Sequence, residues 1–260
     1  MCTLIALHRC IPGVPLVVAA NRDEFSDRPA EGPALRSTSF GAVLAPLDLR
    51  GGGTWLGLNA SGLFAAVTNR RGGDPDPERR SRGRLVVDVL GAASVDEAAE
   101  RMKKLETGAY NAFNLFLADG RNAHAVTYDE HPRPIELGAG VHVIGNVDPT
   151  TAAAKTTRLK RKVEAAAEGA AETLLDRLAE ICRGHDGGGD PLQDACVHAG
   201  DYGTRSSALL WLAEAENESA FRFADGPPCT REYSDFTPLL RELGRSSRLV
   251  KGESAMRKVS

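Results

Sequence analysis

Two stretches decide the fold: Met1-Cys2-Thr3-Leu4-Ile5-Ala6-Leu7-His8-Arg9 and Leu16-Val17-Val18-Ala19-Ala20-Asn21-Arg22-Asp23-Glu24. Each opens on a short apolar, β-rich run. Ile11-Pro12-Gly13-Val14-Pro15 lies between them and is a strong turn signal. The pattern predicts strands over Thr3 to Arg9 and Leu16 to Asn21, joined by that turn. The second strand delivers four polar or charged residues at its end, after five apolar ones, as a strand does when its tip enters a site.

Cys2 sits where the opening strand begins. Methionine before a small second residue is normally trimmed, which would make Cys2 the chain terminus. A terminal cysteine carries its own base, because an α-amino group with a pKa near ~7.7–8.0 accepts the proton of a thiol near ~8.5. Read from its position alone, Cys2 is more simply a small apolar residue opening a buried strand. The same two-sidedness holds for Arg22 and Asp23. An arginine beside a carboxylate can hold an ammonium and lower a thiol pKa, or it can be a salt bridge at a solvated strand end.

Working outward, further strands are expected at Gly41 to Leu47, Thr54 to Asn59 and, after the Ser61-Gly62 turn, Leu63 to Asn69. Gly51-Gly52-Gly53 lacks the Lys-Ser/Thr of a phosphate loop and reads as a bulge or tight turn before Thr54, with Trp55 as core or pocket wall. Arg70 to Arg84 reads as a mobile surface loop. Helical spacing begins near Arg82, and Ser94-Val95-Asp96-Glu97 is a capping box opening a second helix to Leu105. Strands return at Phe113 to Ala118, Ala123 to Tyr128, Pro134 to Leu137 and Val141 to Asn146. Helices are expected around Thr151 to Glu168 and Ala171 to Arg183. A flexible loop then carries Gly187-Gly188-Gly189, and Thr204 to Leu212 and Ala220 to Ala224 complete the β content. Helices clustered between runs of strands indicate an α+β layered fold rather than βαβ alternation. One domain is expected over residues 1–240, with 241–260 a polar tail.

Composition narrows the function classes. Hydrophobic residues make up 42% and charged residues 26%, ordinary for a soluble globular chain. A net charge of −3 supplies no basic excess for nucleic acid or acidic lipid. No segment approaches the ~20 apolar residues of a membrane span, and no signal peptide is recognisable, so a cytoplasmic protein is expected. Five scattered cysteines (Cys2, Cys10, Cys182, Cys196, Cys229) are expected as free thiols, and no CxxC pair points to zinc. His8, His124, His131, His142, His185 and His198 show no paired ligand spacing and read as surface or satisfied core residues. No metal site is expected.

Several blocks together resemble a known family. Met1-Cys2 before a strand, then Asn21-Arg22-Asp23-Glu24 with Phe25 and Arg28-Pro29, resembles the NRDE family, also called the transport and Golgi organisation 2 family. Gly52-Gly53-Thr54-Trp55-Leu56-Gly57, Gly62 with Ala65-Ala66-Val67-Thr68-Asn69, Ser81-Arg82-Gly83, Tyr110 to Leu115 and Tyr202-Gly203-Thr204-Arg205 continue it in the family's order. The family is similar to cysteine N-terminal-nucleophile (Ntn) hydrolases, including bile salt hydrolases and penicillin V acylases.

That similarity implies a four-layer αββα sandwich with Cys2 heading a central strand. It also implies roles. Cys2 supplies nucleophile and amine, Asp23 orients them, and Arg22 favours the thiolate. Asn69 supplies an oxyanion-hole amide, Asn146 positions the α-amine, and Arg205 completes the site. Bile salt hydrolases carry an Arg-Asn-x-Asp order where this chain has Asn21-Arg22-Asp23, so which of Arg22 and Asp23 faces Cys2 stays open at this level. Two functions follow from the resemblance. One is an amidase or thioesterase acting on a small linear amide or acyl thioester, with no cofactor needed for catalysis. The other is a non-catalytic carrier whose pocket holds haem, acyl-CoA or another lipid-like ligand.

Overall fold

The computed structural model describes residues 2–71 and 75–245. Two antiparallel sheets form its centre. The first is built from β1 (Cys2–Ile11), β2 (Val14–Phe25), β10 (Gly140–Ile144), β11 (His198–Ala199), β12 (Tyr202–Leu212), β13 (Ala220–Ala224) and β14 (Ser234–Asp235). Its order is β10-β1-β2-β12-β13-β14, with the short β11 also paired to β12. The second sheet is a meander of β3 (Ala30–Thr38), β4 (Gly41–Asp48), β5 (Leu56–Asn59), β6 (Phe64–Asn69), β7 (Phe113–Ala118), β8 (Ala123–Tyr128) and β9 (Pro132–Leu137). Helices α1 (Arg82–Val89) and α2 (Val95–Met102) pack on the second sheet. Helices α3 (Ala154–Ala167) and α4 (Leu174–Arg183) pack on the first.

The alternation of strand side chains generates these layers. Leu4, Ala6, Leu16, Val18 and Ala20 pack with Leu44, Leu58, Phe64 and Phe116 between the sheets. Their neighbours Ile5, Leu7, Val17 and Ala19 point the other way, onto Val163, Leu175 and Leu178 of α3 and α4. Val43, Ala45, Ala65 and Leu115 likewise face Leu85, Val86 and Val89 of α1 on the far side of the second sheet. Period-2 strands with both faces apolar therefore give three packed interfaces and an αββα sandwich, as expected.

Several local readings are refined by the structure. The capping box forms: Ser94 Oγ accepts from Glu97 N, while the Glu97 carboxylate reaches Ala93 N. Gly51-Gly52-Gly53 is a turn, and it is glycine-rich for a spatial reason. Gly53 has φ +132°, and a Cβ there would lie 2.3 Å from the Gly83 carbonyl carbon in α1. Strand β3 was not anticipated, because its polar and Pro-containing sequence hides an exposed edge.

Of the segment read as a mobile loop, residues 72–74 lie outside the described residues. The part next to α1 is pinned: Asp76 and Asn111 exchange two hydrogen bonds, and Arg80 N donates to Ala109 O. The boundary placed at 240 falls inside a helix, α5 (237–245), whose Leu240 and Leu243 are both buried in the inter-sheet core. Packed chain therefore extends at least to 245, and the rest of the expected tail, 246–260, lies outside the described residues. No helix among the described residues is long and apolar enough to cross a membrane.

Candidate active site

Strand register settles what the sequence left open. Cys2 is the direct cross-strand partner of Arg22, and partners in an antiparallel pair project to the same side. Even-numbered positions of β1 and β2 face the space between the sheets, so Cys2 and Arg22 open onto that space together. Arg22 is only 5% exposed, and its guanidinium carbon lies 4.4 Å over the Trp55 ring of the opposite sheet. Its Nη2 is buried with no hydrogen-bond partner among the described residues, which leaves a charged donor available to a ligand.

Asp23 occupies the alternate slot. Its Oδ1 accepts from Thr204 Oγ1 at 2.6 Å, and its main-chain carbonyl accepts from Tyr202 Oη at 2.9 Å. Its main-chain N–H is directed at the Cys2 sulfur. Burial pushes the Asp23 carboxyl up to about 6, against the opposing pull of the Lys155 ammonium. Burial also raises the Cys2 thiol above its ordinary value, while the Arg22 charge acts in the other direction.

Arg205 reaches the cleft through a bulge. Thr204 pairs with Asp23 and Ser206 pairs with Arg22, so Arg205 is the extra residue between two register positions. A bulge of this kind turns a side chain out of the ladder without breaking the sheet. Arg205 lines a cleft of about 350 Å³ with Arg22, Arg28, Trp55, Ser206 and Phe223. Arg28 itself is held bidentately by Asp48, its Nε and Nη2 donating to Oδ1 and Oδ2.

Asn69 and Asn146 form a second group, at the ends of β6 and β10 where the two sheets meet. Asn146 Nδ2 donates to Asn69 O at 2.6 Å, and Arg71 N donates to Asn146 O at 2.9 Å. Thr68 Oγ1 and Asn114 Nδ2 both donate to Gly145 O. Because β10 is the other neighbour of β1, these bonds fix the segment flanking Cys2 to the opposite sheet.

Asn21, the first letter of the tetrad, points away from the cleft. Its Nδ2 donates to Cys182 O and Ala195 O at 2.9 and 2.8 Å, which ties the active strand to α4 and to the segment before β11.

Sequence reasoning missed two participants. Lys155, at the start of α3, is half-buried near Asp23, and desolvation holds its ammonium below its ordinary range. No sequence signal marks it, since the helix it opens is brought against β2 only by packing. Thr204 stood in a quoted block, but its role appears only in the β2–β12 register. His185 and His198 lie at the surface, as read from the sequence, and stand together with Cys196 and Cys229. All five cysteines are free of disulfides, as expected.

Two facing antiparallel sheets between helix layers, with a cysteine at the head of β1, make an Ntn-hydrolase-like fold. Solved structures of similar shape include the Caenorhabditis elegans N-acylethanolamine-hydrolyzing acid amidase ortholog, with a TM-score of 0.55 and 11% identity, over 81% of this chain and 92% of that one. A variant of the conjugated bile acid hydrolase from Clostridium perfringens also aligns, with a TM-score of 0.52 and 11% identity, over 90% and 96% of the two chains. At that identity the likeness concerns the fold.

The chain belongs to the Transport and Golgi organisation 2 family, whose model matches residues 1–222. It is 30% identical over 236 residues to the human Transport and Golgi organization protein 2 homolog, covering 79% of this chain and 84% of that protein. An uncharacterized Saccharomyces cerevisiae protein is 32% identical over 135 residues, 46% of this chain and 42% of its own length.

Proposed function

We propose that this protein is an acyl-transfer hydrolase that cleaves a small linear amide or acyl thioester with Cys2 as nucleophile. The observation that carries this reading is the register itself: Cys2 is the cross-strand partner of the buried Arg22, and the buried Asp23 is the next residue along that strand. A carrier pocket has no need of that arrangement. The fold likeness to proteins named as an amidase and a hydrolase supports the same class.

In this mechanism Met1 is removed and the Cys2 amine takes the thiol proton. The thiolate attacks the carbonyl carbon, and the oxyanion is met by the Asn69 amide and a main-chain N–H. The new ammonium protonates the leaving amine or thiol as the C–N or C–S bond breaks. Water, deprotonated by the same amine, then attacks the acyl-enzyme carbonyl, and the C–S bond to Cys2 breaks to release the acid. Asp23 orients the amine, Asn146 holds it in place, and Arg22 and Arg205 hold the polar end of the substrate. Loss of one oxyanion donor in such a site costs about 3 kcal/mol of barrier.

Intact-mass measurement before and after incubation with a panel of acyl-CoAs and activated amides tests this. A mass one methionine short, plus an acyl adduct that Cys2→Ala abolishes while the fold is kept, is the expected result. Retained Met1 with no adduct overturns it. The carrier reading, tested by titration with haem and acyl-CoA, would then take its place.

A further inference from the structure

On the opposite side of the active strand, four side chains with metal-ligand chemistry converge from three separate segments. His185 follows α4, Cys196 and His198 lead into β11, and Cys229 lies in the loop between β13 and β14. One ligand atom from each lies within 4.8 Å of all the others. The Cys196 and Cys229 sulfurs are 3.5 Å apart, and His198 Nε2 is 3.1 Å from Cys229 Sγ and 3.7 Å from Cys196 Sγ. Zinc bonds of about 2.3 Å to sulfur and about 2.0 Å to nitrogen set tetrahedral edges of about 3.3–3.8 Å. The separations among Cys196, His198 and Cys229 lie close to that range, and with His185 included the set stays within 4.8 Å, so a small side-chain movement would close it around an ion.

We propose that His185, Cys196, His198 and Cys229 form a structural zinc site of the Cys₂His₂ type. Two thiolates and two imidazoles in a tetrahedral set select zinc over magnesium or calcium, which need hard oxygen ligands. Binding releases the two thiol protons to solvent. Four protein ligands close the coordination shell, so the ion takes no part in acyl transfer.

The surroundings fit a built site. Asp194 Oδ2 lies 3.9 Å from His185 Nδ1, so a carboxylate stands next to one of the imidazoles, and a shift of about 1 Å would bring it to hydrogen-bond distance. Asp194 is itself fixed, its Oδ1 accepting from Gly187 N at 2.6 Å. The Gly187-Gly188-Gly189 run gains a reason here. A Cβ on Gly187 would lie 2.7 Å from Asp194 N, and Gly188 and Gly189 take φ of +76° and +93°. Only glycine lets residues 184–194 fold back tightly enough to bring His185 to Cys196. Cys196 is fully buried while His185 and His198 are exposed, so the ion has an entry path from solvent.

The site would brace the active strand. Ala195 O accepts from Asn21, and Val197 N donates to Thr204 Oγ1, the hydroxyl that in turn donates to Asp23. Zinc at Cys196 and His198 would therefore hold in place the segment that anchors both Asn21 and Asp23.

The test is native mass spectrometry of the full chain purified under reducing conditions, with zinc as the sole added ligand. One zinc per chain is expected, removed by a chelator and restored by zinc alone. X-ray absorption should show two sulfurs at about 2.3 Å and two nitrogens at about 2.0–2.1 Å. Cys229→Ser and His185→Asn, both at the protein's edge, should each weaken zinc binding about 100-fold or more. A wild-type chain that stays metal-free with added zinc, or that forms a Cys196–Cys229 disulfide in preference to taking zinc, overturns the proposal. So does a Cys229→Ser variant that binds zinc like the wild type. The wild-type measurement stands even if a variant fails to fold, and none of these readouts depends on hydrolytic activity.

Discussion

Asp23→Asn should make the protein more stable at neutral pH, although Asp23 is placed at the heart of the site. The carboxyl is 2% exposed, and burial lifts it from 3.8 to about 6. The native state therefore holds a proton between those values that the unfolded chain has released. Wild-type stability must then fall as pH rises through about 4 to 6, and the full penalty is present above 6. At about 1.4 kcal/mol per pH unit, the rise corresponds to about 3 kcal/mol. Asparagine keeps an oxygen that can accept from Thr204 Oγ1, so the substitution removes the charge without orphaning the hydroxyl. Urea unfolding of wild type and Asp23→Asn between about pH 4 and pH 7.5 measures the difference directly. The two should be close at the acid end, with the variant pulling ahead by about 3 kcal/mol at the neutral end. A difference that stays flat with pH, or a variant less stable at neutral pH, would refute the account of Asp23 as a buried carboxylate maintained at a cost to stability.

Two other substitutions probe the scaffold, and one probes the chemistry. Gly53→Ala, which meets the Gly83 backbone and needs φ +132°, should cost about 3 kcal/mol or more, read as a lowered Tm; a shift within error would mean that α1 moves aside at no cost. Asn21→Asp points a carboxylate at the carbonyls of Cys182 and Ala195, so it should lose about 3 kcal/mol or more at neutral pH and recover part of this on acidification, followed by chemical denaturation. Cys2→Ala should abolish acylation in the mass assay while leaving the circular dichroism spectrum unchanged, because the side chain is small and sits at the start of its strand.

The residues of the candidate site were visible in the sequence because they sit near strand ends in fixed order: Cys2 before an apolar run, the Asn-Arg-Asp-Glu tetrad after one, Arg205 in a Tyr-Gly-Thr-Arg block. Strand alternation also foretold the layers, since Leu4 and Ile5 are both apolar and must each find a separate core. Register was not visible. Whether Arg22 or Asp23 faces Cys2 depends on which residue lies opposite it across the hairpin, and a one-residue slip would exchange them. The bulge that releases Arg205 exists only where β12 meets β2. Lys155 approaches Asp23, and His185 approaches Cys229, across more than forty residues of chain in each case. Local pattern records which faces are apolar and where turns fall, because those are properties of neighbouring residues. Meetings between distant polar side chains are set by how whole sheets and helices pack, and only the tertiary structure decides them.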